Sequence, residues 1–172
     1  MKKLAASAFA LLTLTAVAYA QKVNTDSDPA ARFSDYKTYA WTTGTASPNP
    51  LGEQRIHDAV DRQLGAKGLS VNRERPDLIV ATHVMSHEEK EIVADGFAYG
   101  PWWYGGGVTT TRVNTYLQGT LVVDIYDAAT KKMIWRGTAT DTVSDKAAKN
   151  TKKISKALTK MFQRYPASAA AN

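Results

Sequence analysis

The segment Tyr116–Tyr126 constrains the fold of this chain most strongly, because its apolar and polar residues largely alternate. The residues on its apolar side are Leu117, Leu121, Val123 and Ile125, and those on its polar side are Gln118, Thr120 and Asp124. A period of two residues is that of a β-strand with one buried face. The pattern therefore predicts a sheet that needs a second layer to cover that face.

Two segments with helical spacing can form this second layer. Residues 51–67 repeat an apolar side chain every four residues at Ile56, Val60 and Leu64, and Gly68 is placed to end the helix. Residues 146–165 carry a second apolar stripe, which is formed by Ile154, Leu158, Met161, Phe162 and Tyr165. The predicted fold class is α+β, with a mostly antiparallel sheet of four to six strands and two helices packed on one face.

Other segments supply the remaining strands of the predicted sheet. They are Gln21–Asp26 as an edge strand, Tyr36–Trp41, Asp77–Met85, and Met133–Val143 as the partner of Tyr116–Tyr126. Because Asp77–Met85 is apolar on both sides, we expect it inside the sheet. Residues 87–94 and 108–114 can form the arms of a long hairpin, with its tip at residues 95–107.

The first twenty residues have the pattern of a secretory signal peptide. A basic start at Lys2 and Lys3 precedes an apolar run, and a small-x-small site ends at Ala20, before Gln21. Cleavage between Ala20 and Gln21 would leave a single α+β domain at residues 21–166 and a disordered tail at residues 167–172. We therefore expect a periplasmic or secreted protein without a transmembrane segment in the mature chain.

Composition narrows the chemistry and the partners. The chain has no cysteine, so it has no disulfide, thiolate nucleophile or lipidation site. Its formal net charge of +6 falls to +4 when the two lysines of the signal peptide are removed. This mild positive charge favours anionic envelope surfaces, and peripheral contact with a membrane is one possibility. No nucleic-acid partner is expected outside the cytoplasm.

Aromatic side chains are concentrated at the tip of the predicted hairpin. They are Phe97, Tyr99, Trp102, Trp103 and Tyr104, and they lie among glycines and a proline. Exposed aromatic residues on a loop can stack on sugars, lie at a membrane interface or anchor a partner. The alternative is that the two tryptophans fold back and cover the open face of the sheet.

A basic stripe follows the last predicted helix. It consists of Lys149, Lys152, Lys153, Lys156, Lys160 and Arg164, which fall on one side of the helix. Such a stripe can contact anionic lipid or an acidic partner. It is also typical of the solvated face of a helix that packs on a core.

Two weaker groupings are candidates for catalysis. His83 and His87 point to the same side of a predicted strand and are followed by carboxylates, so they can hold a metal ion, but no third ligand is fixed by the spacing; the alternative is a surface polar patch. Asp124 and Asp141 lie on neighbouring predicted strands, and both can face away from the core, as a general acid–base pair or as structural aspartates. Phosphate-binding, dinucleotide-binding and hydrolase motifs are absent, and the sequence predicts no metal and no cofactor.

Several segments resemble one bacterial envelope family. They are Gly119–Asp124, Lys132–Gly137, Phe33–Trp41, Pro76–Leu78 and Met161–Pro166. Together they are similar to the domain of unknown function DUF4136, whose members are secreted and often lipoproteins, with no established activity. Gln21 stands where those lipoproteins have the lipidated cysteine. The resemblance implies export and an α+β fold, and it implies no mechanism.

The sequence therefore favours one function and leaves two alternatives. The favoured function is that of an exported, non-catalytic binding or structural module of the envelope, which contacts a glycan, lipid or protein through the aromatic loop. One alternative is a periplasmic hydrolase that uses surface carboxylates, with or without a metal. The other is a purely structural or stress-protective protein with no defined ligand.

Overall fold

The computed structural model describes the backbone of residues 21–98 and 107–166 and the side chains of residues 21–92 and 111–166. One six-stranded sheet has the order β1-β6-β5-β4-β2-β3. Its strands are β1 (Lys22–Ser27), β2 (Thr38–Trp41), β3 (Ser70–Val71), β4 (Leu78–Ala98), β5 (Gly107–Asp127) and β6 (Met133–Thr142). The helices are α1 (Pro50–Ala66) and α2 (Ala147–Gln163), and a short 3-10 turn covers Phe33–Asp35. The α+β prediction is confirmed.

The sheet is mixed and not purely antiparallel. β1, β6, β5 and β4 pair antiparallel with their neighbours, whereas β2 pairs parallel with both β4 and β3. The reason is α1, which crosses over between β2 and β3. Parallel neighbours require such a crossover connection. No sequence pattern predicts β3, which is only two residues long.

One face of the sheet carries the core, and both helices cover it. Val80, Val123 and Trp135 point to this face from three adjacent strands and are almost fully buried. α1 contributes Ile56, Ala59, Val60 and Leu64 to the same cluster, and α2 contributes Ala157, Leu158, Met161 and Phe162. The helical stripes predicted from spacing are therefore the ones that pack on the sheet.

Both ends of α1 follow local rules of helix capping. The side chain of Asn49 accepts a hydrogen bond from the N–H of Gly52 at 3.1 Å, and Pro50 occupies the first turn. At the other end Gly68 has a φ of 82°, the left-handed conformation that glycine adopts without steric cost. The predicted end of the helix at Gly68 is confirmed.

Asp77 connects the start of β2 to the start of β4. Its Oδ2 accepts three hydrogen bonds of 2.9 Å, from the N–H of Lys37, the N–H of Thr38 and the hydroxyl of Thr38. The N–H of Lys37, more than any other group, holds the pKa of Asp77 below its ordinary value, against the opposing effect of burial. The ionised carboxylate therefore stabilises the junction of two parallel strands.

We expect Asp77→Asn to lower the free energy of unfolding by about 1–2 kcal/mol at neutral pH, because charged acceptors form the stronger hydrogen bonds. The folded pKa lies below the unfolded one, so this stabilisation is complete above the unfolded pKa and is lost as the pH falls through the folded pKa. The gap between wild type and variant should shrink below about pH 4. Urea unfolding at pH 7 and pH 3 measures both values. Asp58→Asn, on the exposed side of α1, is the control, and an equal gap at both pH values would contradict the assignment.

Some predictions lie outside the described residues. They are the signal peptide at residues 1–20, the tail at residues 167–172, and four aromatic residues of the hairpin tip: Tyr99, Trp102, Trp103 and Tyr104. Phe97 lies in β4, where it pairs with Val108, and its side chain is outside the described part. Within the described ranges, no helix is long and apolar enough to cross a bilayer.

Candidate functional site

The most distinctive surface is a two-stranded ribbon that projects from the sheet. We define the ribbon as residues 89–98 of β4 paired with residues 107–116 of β5, from Glu89 with Tyr116 to Ala98 with Gly107. At about 3.4 Å per residue it is about 30 Å long. The predicted hairpin arms are thus real, but they continue the central strands of the sheet and do not form a separate hairpin.

The outer edges of the ribbon have no partner strand among the described residues. β2 pairs with β4 only over Leu78–Val80, and a single bridge from Thr45 to His83 extends that side. On the other side, pairing with β6 covers only Gln118–Tyr126. The ribbon therefore presents unpaired main-chain donors and acceptors along both edges, which is the arrangement to which another strand can add.

Apolar side chains are exposed on the ribbon. Ile92 and Val113 face each other across it, with 70% and 58% of their surface exposed. Leu117, just inside the base of the ribbon, is 41% exposed. Large apolar residues that pair in solvent are typical of a contact surface.

A buried ion pair occupies the opposite, helix-free face of the sheet. Arg136 lies directly across from Asp124 and donates Nε to Oδ1 at 2.6 Å and Nη2 to Oδ2 at 2.7 Å. Asp124 has no exposed surface, while the side chain of Arg136 is 48% exposed. The guanidinium therefore covers the carboxylate and forms the bidentate geometry of a strong pair. Asp124 faces away from the helices as predicted, but it is structural and not solvated.

His83 completes this cluster from β4. Its Nδ1 accepts the N–H of Thr45 at 3.1 Å, which places the ring proton on Nε2, 3.5 Å from Oδ2 of Asp124. A Cβ at Gly44 would collide with the carbonyl oxygen of Thr82, so only glycine lets this loop approach β4. Both ring nitrogens of His83 are engaged within the protein, and the arrangement fits a structural role.

The structure does not bring the predicted catalytic groups together. Asp141 pairs with Gly119 and points to the helix side, where its Oδ1 accepts a hydrogen bond from Nζ of Lys153 at 2.8 Å. It therefore lies on the face opposite Asp124, and the expectation that both aspartates face away from the core is wrong. The reason is strand register, because side chains alternate between the two faces of β5. Asp141 pairs with Gly119, which is on the same side of β5 as the buried Leu121, whereas Asp124 is on the other side.

The two histidines have separate partners. His87 lies 3.3 Å from Oε1 of Glu89, while His83 belongs to the Asp124 cluster. Four residues along a strand separate them by about 13 Å. Among the residues that the structure describes, no three histidine or carboxylate side chains converge as metal ligands.

The basic stripe on α2 divides into two groups. Lys153 is partly buried and donates to both Asp141 and the carbonyl oxygen of Thr142, and Arg164 donates to the carbonyl oxygen of Val23. These two side chains hold α2 to the sheet. The others are Lys149, Lys152, Lys156 and Lys160, and no acidic side chain in the described ranges pairs with them. The free positive surface is therefore smaller than the sequence predicted.

Sequence reasoning missed two groups that position these surfaces. Asp61 on α1 accepts hydrogen bonds from the hydroxyl of Tyr39 at 2.7 Å and from Nε1 of Trp41 at 2.9 Å, and so fixes α1 against β2. Gln21 donates Nε2 to the carbonyl oxygen of Lys153 at 2.9 Å. Neither residue stands in a motif, and both contacts depend on pairs distant in sequence, so no local signal could have found them.

The chain is thus a small α+β protein. Its mixed sheet is covered by helices on one face, carries a structural ion pair on the other, and extends into a projecting ribbon. Residues 23–167 match the family described as a domain of unknown function, DUF4136, and the chain belongs to this family. The resemblance found in the sequence is thereby confirmed. Comparison with curated proteins gives no match.

Solved structures with similar folds share little sequence with this chain. A PDZ domain protein from Parabacteroides distasonis superposes with a TM-score of 0.58 at 18% identity, covering 85% of this chain and 36% of that one. The chain thus spans about a third of that protein, and the likeness concerns the fold alone.

Two weaker matches extend the comparison. A PelC dodecamer from Paraburkholderia phytofirmans gives a TM-score of 0.48 at 16% identity, covering 81% of this chain and 96% of that one. A minor lipoprotein from Acinetobacter baumannii gives 0.35 at 12% identity, covering 75% and 91%. We take no functional conclusion from these two.

Proposed function

We propose that this protein is an exported, non-catalytic binding module of the bacterial cell envelope, and that it holds its partner through the ribbon and the aromatic segment at the ribbon's end. The observation that carries the proposal is the pairing of residues 89–98 with residues 107–116, beyond the reach of every other described strand. None of the ribbon side chains that the structure describes, at residues 89–92 and 111–116, belongs to the core cluster.

The chemistry of the ribbon favours a protein partner over a glycan or a lipid. An added strand can satisfy the open donors and acceptors of either edge, and main-chain hydrogen bonding supplies affinity in that mode of recognition. Exposed Ile92 and Val113 offer apolar contacts in the same place. The aromatic residues Phe97, Tyr99, Trp102, Trp103 and Tyr104 would then act as anchors, because aromatic side chains commonly dominate binding energy at interfaces.

Export supports the periplasm as the place of this contact. The signal-peptide pattern before Gln21 supports secretion of the folded domain. A hydrolytic alternative that uses Asp124 and Asp141 has no support from the geometry, since the two carboxylates lie on opposite faces of the sheet.

Site-specific photo-crosslinking in intact cells tests the proposal. We expect a crosslinker at Val113 to form a discrete adduct with one envelope protein, whereas a crosslinker at exposed Gln54 on α1 should not. We expect replacement of Trp102 and Trp103 by alanine to remove the Val113 adduct and to leave the unfolding midpoint unchanged.

Three outcomes would reject the proposed function. The first is equal adducts from Val113 and Gln54, which indicates random collision. The second is the same Val113 adduct in the double alanine variant, which removes the role of the aromatic segment. The third is no protein adduct at Val113 in cells that retain the protein in the envelope, which removes the protein partner.

A further inference from the structure

A cavity lies between the first halves of the two helices and the covered face of the sheet. Its volume is about 260 Å³. The side chains that make its walls apolar are Ile56, Val84, Leu121, Ala139, Ile154 and Ala157. An apolar cavity of about 150 Å³ is already large enough to stay dry and bind a small hydrocarbon. This one is therefore large enough for a ligand of several carbon atoms.

The two helices are in contact near their C-terminal ends, and the cavity lies toward their N-terminal ends. Gln63 of α1 contacts Thr159 of α2, and both residues lie in the second half of their helix. The cavity, in contrast, is lined by the first halves of both helices. Exposed Asn49 and Ala147, at the two helix starts, mark its mouth. The positive ends of two helix dipoles therefore lie along the lining of the cavity.

A side-chain cation adds to this positive potential. Arg55 lines the cavity one turn into α1 and has no ion-pair partner in the part of the chain that the structure describes. The other charged groups of the lining are Lys153 and Asp141, which neutralise each other at 2.8 Å. The lining thus combines an apolar interior with one uncompensated positive charge.

We propose that this cavity binds the alkyl chain of a fatty acid, whose carboxylate lies toward Arg55 and the helix starts. Charge complementarity selects a single-chain carboxylate over an uncharged hydrocarbon, and the size of the cavity selects a chain of medium length. The cavity adjoins the base of the ribbon at Leu117, but its proposed ligand contacts are Arg55 and the helix starts, so the two proposals can succeed or fail independently.

Calorimetric titration of the purified protein with decanoate and with decanol tests the site. We expect saturable binding of decanoate at a ratio of one. Arg55→Gln should raise the Kd for decanoate about tenfold, which corresponds to the loss of one charge-assisted hydrogen bond. The same substitution should leave the Kd for decanol unchanged. Arg62→Gln, an equally basic position of α1 outside the cavity, is the matched control and should bind as wild type.

Filling the cavity gives the second variant. Ala157→Leu places three more carbon atoms into the space and should abolish binding of both ligands. Should this variant fail to fold, methyl NMR of the wild-type protein replaces it. Decanoate should then shift the methyl signals of Val84, Leu121 and Ile154, and leave those of Leu64 and Ile134, which lie in the core outside the cavity, unmoved.

Absence of saturable decanoate binding would overturn the proposal. Equal losses in Arg55→Gln and Arg62→Gln would overturn the role of Arg55 and reduce the ligand to a generic anion. Shifts spread evenly over all methyl groups would show nonspecific association and would also reject the site.

Discussion

Replacing Arg136 by methionine is expected to lower the free energy of unfolding by about 3 kcal/mol. The substitution removes both hydrogen bonds that Oδ1 and Oδ2 of Asp124 accept from the guanidinium. Methionine keeps the aliphatic contact but leaves a carboxylate without exposed surface and without its counter-ion. Breaking a buried pair by removing one partner typically costs 3–5 kcal/mol, and we take the lower end because the guanidinium is 48% exposed.

The measurement is urea unfolding at neutral pH, followed by circular dichroism. Arg136→Lys should recover part of the loss, since a lysine supplies the charge but not the two-pronged geometry. Arg62→Met, an exposed position of α1, should cost less than about 0.5 kcal/mol. A loss no larger in Arg136→Met than in Arg62→Met would show that solvent reaches Asp124 and that the pair contributes little.

The general fold could be predicted from the sequence because burial patterns are local. The four-residue spacing of Ile56, Val60 and Leu64 defines the buried side of α1, and it does so whatever the helix packs against. The alternation in Tyr116–Tyr126 likewise defines the core face of β5. When a helix or strand has one buried face, the spacing of its apolar residues shows which face is buried.

Pairing between distant strands could not be predicted in the same way. The parallel alignment of β2 with β4 depends on the path of α1, not on the composition of Thr38–Trp41. For the ribbon, the sequence predicts the two hairpin arms at residues 87–94 and 108–114, but it does not show that they continue two central strands of the sheet. Its two arms are seen as continuations of β4 and β5 only in three dimensions.

The candidate sites differ for the same reason. The aromatic residues are close together in the sequence and the lysines of α2 recur at helical spacing, so both groups can be identified from the sequence directly. The Asp124 cluster joins β4, β5, β6 and the loop at Thr45, and its burial follows from strand register. The cavity is lined by residues of both helices and of β4, β5 and β6. Sequence spacing thus identifies surfaces that one element carries, and it misses sites that several elements share.

Replacing Trp135 by alanine is the substitution from which we expect the largest loss, about 4 kcal/mol in the free energy of unfolding. The indole is 1% exposed, and its ring centroid lies 5.1 Å from that of Phe162 and 5.4 Å from that of Tyr165. It fills the space over Gly137, where a Cβ would come within 2.6 Å of the ring. Truncation opens a cavity between β6 and α2 that a backbone held by sheet pairing cannot close.

Two further variants separate packing from polarity. Trp135→Phe should cost far less than the alanine variant, because it retains an aromatic ring and removes an indole N–H that has no hydrogen-bond partner among the described residues. Trp41→Ala, at a half-buried indole stacked on His57 at 4.0 Å, should also cost less, since water can enter the space it leaves. Urea unfolding of the three variants gives the order directly. A loss at Trp41 equal to that at Trp135 would place the main packing energy on the α1 side of the sheet and contradict the central role of the contact between β6 and α2.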